Sequence, residues 1–135
     1  MGYGIITGIL FLNGVYDLMC MAGILWLSKV PIFDGLSQLH PTMFSSKDHS
    51  EHPVIKRLLA YWIMTYGTVR LIAGIYTEEG LDYVAAASYF IEALCFEIEL
   101  LKGKTLLTEK VRFVSIFSAA LGVLVMLRPM GVLDI

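Results

Sequence analysis

The sequence predicts an all-α polytopic membrane protein with four transmembrane helices and both termini on the same side of the membrane. The chain of 135 residues is 57% hydrophobic and only 16% charged, whereas soluble domains carry about 25% charged residues. Its apolar residues gather in four stretches long enough to cross a bilayer. Its basic residues gather in the connections at one end. The length allows a single domain, and a net charge of −2 gives no basis for nucleic-acid binding.

The first two predicted helices span residues 3–27 and 58–76. Only Asn13 and Asp17 interrupt the first strongly, and Arg70 is the one charge in the second. Stretches of this length cover a hydrocarbon core of roughly 30 Å at 1.5 Å per residue. An arginine deep in such a segment is costly without a partner or a water path. We therefore expect another part of the chain to pair with Arg70.

The third and fourth predicted helices span residues 81–101 and 111–127. The third is the weakest of the four by hydropathy because it contains four acidic residues: Asp82, Glu92, Glu97 and Glu99. It contains neither glycine nor proline, and counting it as a span gives an even number of helices. Both features favour a membrane span. The fourth is uncharged over 113–127, and Arg128 followed by Pro129 ends it.

The polar loop, residues 28–56, is the only long connection and contains all three histidines. The side of the membrane that holds this loop has eight basic residues: Lys29, Lys47, Lys56, Arg57, Lys102, Lys104, Lys110 and Arg112. The side with the termini has Arg128 alone. Because lysine and arginine in short loops set orientation, we expect the long loop to face the cytosol, matrix or stroma. The matching locations are the endoplasmic reticulum or an organelle inner membrane, mitochondrial or thylakoid.

Three charged side chains are predicted to lie at one depth near the membrane centre. Counted from the basic side at helical rise, Asp17 is about 15 Å deep, Arg70 about 18 Å and Glu92 about 13 Å. Asn13 lies one helical turn before Asp17 and can bond to it. This cluster has three interpretations: a satisfied network that fixes helix register, a site that binds a polar group or carries protons, or a contact with a charge on a neighbouring subunit.

Small residues mark the predicted contacts between helices. Ala60, Gly67 and Gly74 recur every seven residues on the face that carries Arg70, which lets another backbone approach closely. On the fourth helix, Ser118 and Gly122 give a similar face. We therefore expect the second helix to lie at the centre of the bundle.

The long loop contains the candidate metal ligands. His49 and His52 would present two imidazoles to zinc if their segment were helical, and the alternative is a polar surface loop. No cysteine joins them, and the sequence has no nucleophile–base pairing and no Gly-rich phosphate loop. We therefore expect a protein that is not an enzyme and has no cofactor. An enzyme built on His40, His49 and His52 is the weakest alternative.

From Arg57 onward the chain carries a spaced set of polar and aromatic residues: Arg57, Trp62, Arg70, Tyr83, Glu99 and Gly103. In this set, and over the second to fourth helices, the chain resembles the ergosterol-biosynthesis scaffold family of four-helix endoplasmic-reticulum proteins. That family has a polar, histidine-bearing segment before the late acid, where this chain has Glu92 and Glu97. The resemblance implies a non-catalytic tether that gathers sterol-modifying enzymes.

The sequence favours a non-catalytic membrane scaffold or accessory subunit that stabilises a larger membrane complex. Its partners would be other membrane proteins and membrane lipids, and the resemblance implies a sterol- or lipid-modifying complex. An accessory subunit of a respiratory or photosynthetic electron-transfer complex fits the same features. A third interpretation is a small transporter or lipid-binding protein that uses Asp17, Arg70 and Glu92.

Overall fold

The computed structural model describes residues 4–27, 29–31, 36, 39–44, 51–103 and 108–132. Within them the chain forms four long helices and no β-strand, which confirms the all-α class. The helices are α1 (Ile5–Leu25), α2 (Pro53–Ile75), α3 (Glu79–Ile98) and α4 (Thr108–Leu127). The long loop contains a 3₁₀ turn, Pro41–Met43, and a π-helical turn, Glu99–Gly103, follows α3.

The second helix begins at Pro53, five residues before its predicted start at 58. Proline suits the first helical turn, where the N–H that it lacks would have no intrahelical partner. His52 caps this helix, because its Nδ1 accepts a hydrogen bond from the Val54 backbone N–H at 3.2 Å. α3 and α4 also begin before their predicted starts at 81 and 111, at Glu79 and Thr108.

The four helices run alternately up and down. Two pairs of neighbours show that α1 and α2 are antiparallel: Phe11 with Gly74, and Asp17 with Gly67. Two pairs show the same for α3 and α4: Asp82 with Arg128, and Ala93 with Ser115. The Arg128 side chain, just after α4, donates to the Thr7 hydroxyl near the start of α1 at 2.6 Å. The beginning and the end of the described bundle therefore lie at the same end.

Three of the four helices are long and apolar enough to cross a membrane. They are α1, α2 and the segment Glu109–Leu127 of α4. α3 is of similar length but carries four acidic residues. Two of these, Asp82 and Glu92, are buried inside the bundle. The bundle thus consists of three candidate membrane spans and one helix whose buried charges face its neighbours.

Glycine allows α1 and α2 to touch along their backbones. A Cβ atom added at Gly14 would lie 2.6 Å from the Leu71 nitrogen, and one added at Gly74 would come equally close to the α1 backbone. At Gly67 the added atom would lie 2.8 Å from Cβ of Asp17. Gly67 and Gly74 were among the predicted packing residues. Gly14 was not, because its partner position on α2 becomes clear only when the two helices are docked.

The other predicted packing residues are also inside the bundle. Ala60 and Ser118 are buried. A Cβ atom at Gly122 would lie 2.9 Å from the ring of Phe90, so this glycine makes room for an aromatic side chain of α3. The closest packing joins α1 to α2 and α3 to α4.

Two apolar clusters lie on either side of Arg70. The one nearer the termini consists of Ile6, Leu10, Ala73, Ala85, Ala86, Tyr89 and Val125. The one nearer the long loop consists of Cys20, Met21, Ala60, Ile63 and Tyr66. The polar side chains between these clusters therefore have little water around them.

Gly14→Ala should destabilise the bundle by about 1–3 kcal/mol, because the added Cβ would collide with the α2 backbone at Leu71. Gly8→Ala on the same helix is the matched control. A Cβ at Gly8 meets nothing within 4 Å, and alanine is the better helix former by about 1 kcal/mol. In mild detergent the thermal midpoint should fall for Gly14→Ala and should stay level or rise for Gly8→Ala. Equal midpoints would contradict the close contact.

Candidate functional site

Arg70 lies at the centre of a buried polar layer formed by α1, α2 and α3. Its side chain is 2% exposed. Nε donates to the Ser88 hydroxyl at 3.1 Å, Nη1 to Oδ2 of Asp17 at 3.0 Å, and Nη2 to Oε2 of Glu92 at 2.5 Å. Nη1 also lies 3.5 Å from Oδ1 of Asn13. The structure therefore brings the four residues of the predicted cluster together and gives every nitrogen of the guanidinium a partner.

Two tyrosine rings enclose the guanidinium of Arg70. Its central carbon lies 3.7 Å from the ring centre of Tyr89 and 4.3 Å from that of Tyr66. Such cation–π contacts contribute about 0.5–2 kcal/mol, most when water is excluded. The Tyr89 hydroxyl also donates to Oδ1 of Asn13. The predicted cluster lacked both tyrosines, although they lie one helical turn before Arg70 and Glu92, on the same faces.

The layer contains two carboxylates and one guanidinium, so its formal charge is −1 when both acids are ionised. Each carboxylate belongs to a different helix, and both bind the same arginine. Removing one partner of a buried ion pair costs about 3–5 kcal/mol, because it leaves an uncompensated charge. The arginine therefore couples α1, α2 and α3 in one register.

A second buried ion pair closes the bundle near the termini. Arg128 binds Asp82 in a bidentate manner, with Nε–Oδ2 and Nη2–Oδ1 distances of 2.9 and 2.8 Å, and Nη1 donates to Thr7. Their side chains are 11% and 5% exposed. The sequence indicated only that Arg128 stood alone on the terminal side. The sequence feature that could have revealed the Arg128–Asp82 pair is the position of Asp82, ten residues before Glu92. This separation puts the pair about 15 Å from the central layer.

The family model described as "Erg28 like protein" matches residues 17–125 of the chain. The chain belongs to the Erg28-like family. Members of this family are membrane scaffolds of the endoplasmic reticulum in sterol biosynthesis, and the family is not catalytic. No curated protein and no solved structure matches the chain significantly.

The Erg28-like match confirms the resemblance that the sequence indicated, and it extends over more of the chain. It begins at Asp17, so it includes the second half of α1 and the long loop as well as α2, α3 and most of α4. Trp62, one of the residues that carried the resemblance, packs edge-on against Tyr66 with ring centres 5.7 Å apart. This residue therefore supports one of the two rings that enclose Arg70.

Part of the long loop of this Erg28-like chain folds into the bundle. His40, just before the turn Pro41–Met43, is 9% exposed, and its Nδ1 has no hydrogen-bond partner among the described residues. Burial, together with the nearby charge of Lys110, lowers the pKa of His40 from 6.5 to about 4. The imidazole is therefore neutral at neutral pH. This burial could not be predicted from the sequence, because short helical turns such as Pro41–Met43 are too brief to show a periodicity from which a buried face can be deduced.

The two candidate metal ligands do not form a site within the described residues. His52 uses its Nδ1 to cap α2, and His49 lies outside the described residues. In the part of the chain that the structure describes, no three histidine, cysteine or acidic side chains come together as a metal site.

Arg70→Leu should destabilise the bundle by about 3–5 kcal/mol, because Asp17 and Glu92 would remain buried without a counter-charge. The triple variant that adds Asp17→Asn and Glu92→Gln should recover most of this loss, since it removes the unpaired charges as well. Thermal unfolding of the purified chain in mild detergent measures both effects.

Arg112→Leu is the control for the loss of an arginine as such. Arg112 pairs with Glu97 at 3.4 Å, and the two side chains are 44% and 33% exposed. Exposed pairs contribute about 0–1 kcal/mol, so this variant should unfold close to the parent. An Arg70→Leu protein as stable as Arg112→Leu would show that the central layer does not hold the helices together.

Proposed function

We propose that the protein is a non-catalytic scaffold of the endoplasmic reticulum membrane that holds sterol- or other lipid-modifying enzymes together in one complex. The family match over residues 17–125 carries this proposal. The partners would be other membrane proteins, bound side by side in the bilayer, and the surrounding lipids. The cluster of Asn13, Asp17, Arg70 and Glu92 would then have a structural role.

The pairing of the buried arginines within the chain supports this structural role. Arg70 has a partner at each nitrogen, and Arg128 is bound by Asp82 and Thr7. Buried networks of this kind can fix the register of packed helices. A bundle whose internal charges are paired keeps its shape without a bound cofactor, and it can present its outer surface to partners.

The outer surface of the bundle suits contact with other transmembrane helices. Each long helix exposes large apolar side chains, among them Leu12 on α1, Leu58 on α2, Ile91 on α3 and Ile116 on α4. In a bilayer such side chains meet lipid tails or the helices of neighbouring proteins, which associate by van der Waals packing. A small protein with apolar faces on all four helices can therefore contact more than one partner.

The alternatives have less support. A transporter that used the central layer would need a charged group free to bind its cargo, whereas each nitrogen of the Arg70 guanidinium already has a partner within the chain. An accessory subunit of a respiratory or photosynthetic complex would have a similar form, but the family match favours a sterol-modifying complex.

The long loop is proposed to face the cytosol. On its side of the bundle, the described basic residues are mostly exposed, including Lys29, Arg57, Lys102 and Arg112. At the opposite end Arg128 is bound to Asp82, whereas Glu78 and Glu79 are exposed. The basic residues are thus concentrated at the loop end of the bundle, as the rule for cytosolic loops requires.

Removal of the protein from cells should separate its partner enzymes without inactivating them, because a scaffold supplies contacts and no chemistry. The tagged full chain, purified in mild detergent, should carry lipid-modifying membrane enzymes with it. Those enzymes should cease to co-purify with one another when the chain is absent, while each keeps its own activity. Loss of one reaction in a complex that stays assembled would show instead that the chain is an enzyme.

Two variants serve as matched controls for this experiment. Reintroduced Gly8→Ala should restore the complex, because a Cβ at Gly8 meets nothing within 4 Å. Reintroduced Gly14→Ala should restore it less well, in proportion to the loss of fold.

Glycosylation sites should report the orientation, because glycans are added only on the lumenal side of the endoplasmic reticulum. An acceptor site appended after the last helix, beyond Val132, should be modified. The same site inserted in the long loop next to Glu51 should stay unmodified. A glycan on the loop and none at the terminus would reverse the proposed orientation.

A further inference from the structure

A cavity of about 280 Å³ lies between α1 and α4, next to the central layer. It follows from the way the helices pack, since α1 is packed mainly on α2 and α4 mainly on α3. Asp17, Arg70 and Glu92 contribute to its inner wall, and His40 and Met43 of the long loop close it from the loop side. The cavity therefore joins the buried charges to a segment that the scaffold role does not explain.

His40 is the polar group in this cavity that remains unsatisfied. It is nine-tenths buried, and its Nδ1 has no hydrogen-bond partner among the described residues. It also lines a second cavity of about 330 Å³ on the side of Trp62 and Cys95. A buried polar atom without a partner costs about 1–3 kcal/mol. A ligand bound in either cavity would lie against the imidazole of His40 and can give it a hydrogen-bond partner.

The charges around the cavity favour a neutral ligand. Counted by formal charge, Asp17 and Glu92 contribute two negative charges and Arg70 and Lys110 two positive ones, so that the described lining residues sum to zero. An ion would disturb this balance in a poorly hydrated site, where unpaired charge is costly. A hydroxyl is neutral and can both donate and accept a hydrogen bond. It therefore suits a neutral imidazole nitrogen in either tautomer.

The rest of the cavity is apolar and opens on the side of the bundle. Val114 and Leu121 line it on α4. Tyr16 and Phe117 line it as well and are 42% and 55% exposed, so they mark an opening between α1 and α4. An engineered cavity of about 150 Å³ admits benzene. A cavity of 280 Å³ therefore holds the polar end of a lipid and a ring or short chain segment, with the remainder outside in the bilayer.

We infer that the cleft between α1 and α4 binds the hydroxyl end of a neutral, otherwise apolar lipid, with His40 as its hydrogen-bond partner. The apolar body can be a straight chain or fused rings, since both present the same hydroxyl chemistry. The inference does not depend on the scaffold function. A chain that fails to assemble enzymes can still bind the alcohol, and a scaffold can have an empty cleft.

The test uses the full chain in mild detergent and photoactivatable lipid probes that carry a diazirine. A long straight-chain alcohol and a fused-ring alcohol are each compared with their own methyl ether, which cannot donate a hydrogen bond. Labelled residues are identified by mass spectrometry. At least one alcohol should label residues of the α1–α4 cleft saturably and about tenfold more strongly than its ether, and the alcohol that does so identifies the body of the ligand.

Two matched histidine variants test the role of His40. His40→Phe keeps an aromatic ring but removes the nitrogens, so the alcohol should lose its advantage over the ether. His52→Phe makes the same replacement at an exposed histidine that lines neither cavity. It removes the cap of α2 but should keep the full preference. His40→Gln retains a group that donates and accepts, and it should keep part of the preference. If His40→Phe does not fold, the comparison of alcohol with ether in the parent chain still decides whether the cleft recognises the hydroxyl.

Three results would overturn the inference. Equal labelling by alcohols and ethers would show that the hydroxyl is not recognised. Stronger cleft labelling by a fatty acid probe would show that the site prefers an anion. Labelling confined to the outer groove between α2 and α3, at Trp62 and Val84, would show that the cleft takes no lipid at all.

Discussion

The requirement that Arg70 be paired inside an apolar bundle is the constraint on which the rest of the structure depends. A charge at the centre of a membrane span is tolerated when it faces the bundle interior and has partners. Here the partners come from α1 and α3, so neither helix can slide along or turn away from α2 without exposing a charge. Gly67 makes room for this pairing, because any larger residue there would collide with Asp17.

The Arg70 layer joins two closely packed pairs of helices. Glycine contacts hold α1 against α2, and Gly122 accommodates an α3 ring against α4. The two pairs meet across the Arg70 layer and at the Arg128–Asp82 ion pair, and they leave the cleft between α1 and α4 less tightly filled. A rigid core with one looser seam is compatible with a scaffold whose outer faces contact proteins while its seam accepts a lipid.

Much of the fold could be predicted from the sequence because membrane helices are regular. Counting residues from the basic side assigned Asp17, Arg70 and Glu92 to one layer, since the rise per residue is nearly constant. The contacts of Gly14 and of Arg128 could not be obtained in this way, because they depend on how far each helix is rotated about its axis. His40 was beyond prediction for a different reason: it precedes a single 3₁₀ turn, which is too short to show a repeating pattern of buried residues.

The third helix shows why hydropathy alone underestimates this bundle. Three of its acidic residues form ion pairs with arginines of other helices or helix ends: Asp82 with Arg128, Glu92 with Arg70, and Glu97 with Arg112. An isolated segment with this many charges would partition poorly into lipid. Docked between α2 and α4, it presents Asp82 and Glu92 inward and apolar side chains such as Ile91 and Leu94 outward. The ion pairs of α3 with arginines of its neighbours therefore let a helix that hydropathy alone does not identify as a span pack among three that it does.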